Sequence, residues 1–106
     1  MSANTIDPAL VARIDGLPHG RKRSALIELK DAAVRLVDGV ADDAARAAVV
    51  DAFETLASAA ADDDPDPARL HEAGERLIEL ARPVGHLATP VAKAVGDVLT
   101  ASGSIL

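Results

Sequence analysis

Cysteine, tryptophan and tyrosine are missing from this 106-residue chain, and Phe53 is its one aromatic residue. Without Cys there is no disulfide framework, no thiolate zinc site and no thiol nucleophile. Without a row of aromatics there is no platform on which nucleic-acid bases stack. Long apolar runs are missing too. The longest such stretch near the C-terminus is interrupted by Lys93 and Asp97, short of the ~18–20 uninterrupted apolar residues of a membrane span. Met1 to Ile6 carry neither the cationic nor the apolar region of a secretory signal, so a cytoplasmic location is expected. No Gly-x-Ser-x-Gly elbow and no glycine-rich phosphate loop occurs. The expectation is a protein that is not an enzyme, with no cofactor.

What is abundant is alanine. Hydrophobic residues form 49% of the chain, and 23 of them are Ala. The Leu, Val and Ile that remain suffice for one core, so one domain over 1–106 is expected, with 1–6 and 101–106 as tails. Arg outnumbers Lys eight to three, a composition that fits GC-rich bacterial or archaeal coding.

Strand signals do not occur; helix signals recur. Three times a capping residue stands directly before proline: Asp7-Pro8, Asp66-Pro67 and Thr89-Pro90. An Asp or Thr side chain accepts a bond from an orphan backbone N–H, and proline at the first helical position has no N–H to lose. These pairs predict helices over about 8–15, 67–81 and 90–101. A second helix runs from 21–24 to 38, with Ser24 as a candidate N-cap and Gly39 just past its end. A third follows Asp42 or Asp43 to about 60, with Ala45, Val49, Phe53, Leu56 and Ala60 at the spacing of one apolar face. Pro83 and Gly85 break or kink the chain before the fifth helix. That helix has so narrow a polar face that it is expected at the centre of the bundle or in an interface. The fold class is therefore all-α, a compact bundle of about five helices with no sheet.

The acidic run Asp62, Asp63, Asp64 and Asp66 raises calcium. A calcium loop needs alternating oxygen ligands and a glycine at the sharp turn; here the carboxylates are consecutive and Pro65 stiffens the loop. A solvated loop ending in an N-cap fits better, and no metal is expected. His71 and Glu75 share a helix face, yet a zincin needs a second His where Glu75 stands.

Charge carries the remaining signal. The net charge is −6, which disfavours general attraction to nucleic acid or anionic membrane. Residues 1–30 carry a net +2, residues 31–66 a net −8, and residues 67–106 none. Arg21, Lys22 and Arg23 cluster where the second helix begins, against the preference of its dipole for negative charge. They form either a solvated turn or a contact patch. The expected activity is protein–protein interaction of an adaptor kind, with self-association into a homo-oligomer through apolar and complementary charged surfaces. Its candidate residues are the basic cluster, the acidic Asp42, Asp43, Asp62, Asp63 and Asp64, and the apolar Val95, Val98, Ile105 and Leu106. Membrane and nucleic-acid partners are not expected. The alternative from another class is a small regulatory nucleic-acid-associated protein using residues 21–23.

Overall fold

Asp7, Asp42 and Asp66 each stand directly before a helix and close its first turn with a carboxylate. The computed structural model, which describes residues 6–62 and 64–103, has five helices. They are α1 (Pro8–Asp15), α2 (Arg21–Gly39), α3 (Asp43–Ala61), α4 (Pro67–Ala81) and α5 (Gly85–Ala101). Asp7 accepts from the Ala9 amide at 2.9 Å, Asp42 from Ala45 at 3.1 Å and Asp66 from Ala68 at 3.0 Å. Pro8 and Pro67 occupy first-turn positions, as their capping pairs predict.

The third pair does not start a helix. Pro90 lies inside α5, one turn beyond the true start. The Val84 carbonyl already accepts from the amides of Leu87 at 2.8 Å and Ala88 at 3.2 Å. A proline so close to a helix N-terminus removes one ladder bond without ending the helix. Pro83 stands in the short α4–α5 connection as expected, but Gly85 begins α5 instead of breaking it. Ser24 is likewise not a cap: its amide donates to the Gly20 carbonyl at 3.1 Å, within the first turn of α2. Gly39 ends α2 for a packing reason. A Cβ there would lie 3.2 Å from Leu87 Cδ1 and 3.3 Å from Val84 Cγ1.

Helices α2 to α5 form a ring in which each packs on its two chain neighbours, and α5 closes the ring on α2. Neighbours run antiparallel. Lys22 at the start of α2 reaches Asp62 at the end of α3, and Gly39 at the end of α2 meets the start of α5. Inside the ring are Leu26, Leu29, Leu36, Phe53, Leu56, Leu70, Leu77, Val91, Val95 and Val98, all buried. Each such side chain contributes about 1.5–3 kcal/mol by leaving water. Helix α1 lies outside the ring across α2 and α3, anchored by the buried Leu10 and Ile14. Among the described residues there is no strand, and no helix is long and apolar enough to cross a membrane.

Helix α5 is one wall of the ring and not its centre. Its inner face is buried, while Thr89, Ala92, Lys93, Gly96 and Thr100 are exposed. Ala92 and Gly96 count as non-polar in a periodicity pattern, yet each exposes little apolar area and tolerates water.

Candidate interaction surfaces

The three cations at the start of α2 sit in the first turn of the helix itself, so they oppose its dipole. The ends of two other helices offset this. The Arg23 Nε donates to the carbonyl of Asp15, the last residue of α1, at 3.3 Å. Its Nη1 lies 3.1 Å from His19 Nδ1. The Lys22 Nζ donates to the Asp62 carbonyl, at the C-terminus of α3, at 3.5 Å. Cations are favourable against such carbonyl ends, so two members of the cluster tie helix termini together. Arg21 is exposed and makes no hydrogen bond or ion pair among the described residues.

The acidic candidates divide between the two ends of the bundle. Asp62 and Asp64 are exposed beside the basic cluster, while Asp42 and Asp43 lie at the opposite end. There Asp42 caps α3, and Asp43 pairs with Arg46 at 3.2 Å. The Arg46 Nε also donates to the Val40 carbonyl at 2.6 Å. The −8 segment follows α2 and α3 along the length of the bundle, so the charge blocks along the chain are not two poles in space. Asp63, Ile105 and Leu106 lie outside the described residues. A shallow recess between α1, α3 and α4 is lined by Arg13, Arg69, Glu54 and Asp62 among others, two cations and two carboxylates with no net sign. Among the described residues no group of three His, Asp or Glu gathers as a metal site.

Val95 and Val98 are core residues, exposed by 1% and 0%. The expectation that they meet a partner is corrected by their direction: both point into the ring. The outward face of α5 lies on the other side of the helix. Lys93 leans toward α2, bridging Glu28 and Asp97 at 3.1 Å each. Hydrogen bonds to Asp97 and then Glu28 raise its pKa above the ordinary lysine value. With those charges drawn to the α2 side, the face keeps Ala92 and Gly96 exposed, with the partly buried Leu99 and Ile78 nearby.

Gly96 is the residue that periodicity passed over. A glycine inside a helix is destabilising by about 1 kcal/mol relative to alanine. Gly74, on α4, has a packing reason to remain: a Cβ there would lie 2.8 Å from Val95 Cγ1. Gly96 has none among the described residues, for a Cβ there would meet none of their atoms within 4 Å. The available signal was a glycine in the middle of a predicted helix. Comparison of the chain with protein-family models, with curated proteins and with solved structures finds no match.

Proposed function

We propose that the protein is a non-enzymatic interaction module that associates with a second copy of itself through the outward face of α5. The observation that carries this reading is Gly96, a helix-weakening residue on an exposed face that accommodates no neighbour among the described residues. Small residues let two helices approach closely, and Ala92 stands one turn away on the same face. Charge favours the same face. The acidic excess of residues 31–66 belongs mainly to α3 and its flanking loops, which lie diagonally across the ring from α5. Residues 67–106 carry no net charge. Two copies of charge −6 therefore repel least when α5 meets α5. Charge here limits which faces approach, while apolar contact supplies the attraction.

One helix face of this size is small beside the ~1,200–2,000 Å² buried in stable complexes, which sets an expectation of weak association. Light scattering from about 10 μM to about 1 mM, at low and at moderate salt, tests it. The mass should climb from 10.9 kDa toward twice that value, and salt should preserve or strengthen the rise by screening the like charges. A monomeric mass throughout contradicts the proposal. So does a size change seen only with added DNA, lost as salt rises, which is the behaviour of a nucleic-acid-associated protein using Arg21, Lys22 and Arg23.

A further inference from the structure

Helix α1 is bound differently from the other four. The ring of α2 to α5 closes without it, and α1 packs chiefly on α2 and α3. Its seat is a groove between those helices that receives Leu10 and Ile14, exposed by 7% and 1%. Its ends are fixed by two hydrogen bonds from outside the helix. Glu54 of α3 accepts from the Asp7 amide at 2.8 Å, and Arg23 of α2 donates to the Asp15 carbonyl at 3.3 Å. Both bonds pair a ring side chain with α1 backbone, so they specify where a helix end must lie and not which chain it belongs to.

The connection from α1 to α2 is Gly16-Leu17-Pro18-His19-Gly20. Pro18 fixes its own φ and biases Leu17 toward an extended conformation. A connection so short closes α1 onto its own ring only by turning back sharply. We propose that α1 is an exchangeable strap, and that the α2–α3 groove accepts the α1 of a second copy with the same contacts. The occupant is a short amphipathic helix with the Leu10–Ile14 spacing, carrying a backbone amide for Glu54 and a terminal carbonyl for Arg23. In the single chain the tether holds α1 at an effective concentration in the millimolar range, which keeps the closed form dominant in dilute solution. Anything that prevents the sharp turn shifts α1 to a neighbour, as in reciprocal domain exchange. This surface is separate from the α5 face and stands without it.

Hinge length is the test. Deleting Pro18 and His19 from the full chain should give a dimer in dilute solution with helical content per chain unchanged. Inserting six Gly and Ser residues between Pro18 and His19 should leave a monomer under the same conditions. Adding Ile14→Asp to the deletion variant should return it to a monomer whose ring stays folded, whereas adding Gly96→Arg should leave that dimer intact. A monomeric deletion variant, with or without loss of α1 helicity, overturns the proposal. So does a deletion dimer that survives Ile14→Asp. Loss of that dimer on Gly96→Arg, with Ile14→Asp harmless, would assign it to the α5 face and reject exchange.

Discussion

Gly74 and Gly96 sit in the interiors of neighbouring helices and do opposite things. Gly74 is buried in the seam between α4 and α5, where an added Cβ would lie 2.8 Å from Val95; Gly96 is exposed, with nothing within 4 Å. The first glycine explains itself by the close approach it permits inside the chain. The second weakens α5 and, among the described residues, packs against nothing. The seam is thus finished by the fold, while the outer face of the same helix carries a glycine whose cost in helix propensity no contact among the described residues offsets. That contrast is the physical ground for placing a second copy there.

An introduced charge should separate the two faces of α5 most severely. Val95→Asp, on the inner face of α5, buries an unpaired carboxylate, and the expected outcome is loss of cooperative folding by circular dichroism. Ala92→Asp, one turn away on the outer face, should leave stability within about 1 kcal/mol in urea denaturation. Equal damage from the two would mean that α5 does not have the two faces described here. Phe53→Ala should cost about 3–5 kcal/mol, because its side chain is fully buried in the core; a loss under about 1 kcal/mol would place it elsewhere.

Glycine substitutions sharpen the contrast. Gly74→Ala gains about 1 kcal/mol of helix propensity but forces Val95 out of a packed position, and overpacking costs about 1–3 kcal/mol, so a net loss is expected. Gly96→Ala meets no obstacle and should gain roughly 0.5–1 kcal/mol. Opposite signs from the same substitution on adjacent helices are the expected result. Smallest of all is Lys93→Met. Lys93 is exposed and its raised pKa comes from Asp97 and Glu28, so its contribution is fully present below the unfolded-state lysine pKa. It fades as pH climbs through the higher folded-state value. Melting curves of the two proteins at neutral pH should differ only slightly, and less still in high salt. A large gap would show the Glu28–Lys93–Asp97 bridge to matter more than exposed pairs do.

Most of the architecture was legible in the sequence because it rests on local signals. An Asp before Pro8 and another before Pro67 each set a helix start within one residue, and the spacing of Val49, Phe53 and Leu56 marked a face that is buried. Thr89-Pro90 misled because a capping residue before proline marks a helix start only where the helix has not already begun, and α5 begins five residues earlier, at Gly85. The residue that opens α5, Val84, has no capping side chain to betray it. The narrow polar face of α5 does not by itself put the helix at the centre of the bundle, because alanine and glycine look apolar in a pattern while exposing little apolar area. Charge blocks misled for a topological reason. Antiparallel helices fold one stretch of sequence along the whole bundle, so Asp42 and Asp62 end at opposite ends while Lys22 lies against the Asp62 carbonyl. That Arg23 and Lys22 serve the ends of α1 and α3 depends on which helices converge, and no local pattern contains that.

Association through the outer face of α5 is decided by the mass of Gly96→Arg beside that of the wild-type chain, by light scattering at about 1 mM, together with the melting temperature of each. Arg is a far better helix former than Gly, and position 96 has room for it, so the melting temperature of the variant monomer should hold or rise. The predicted result is a wild-type mass above 10.9 kDa and a variant mass that falls back to that value. A variant that melts no lower than the wild type and shows the same concentration-dependent mass would contradict the account.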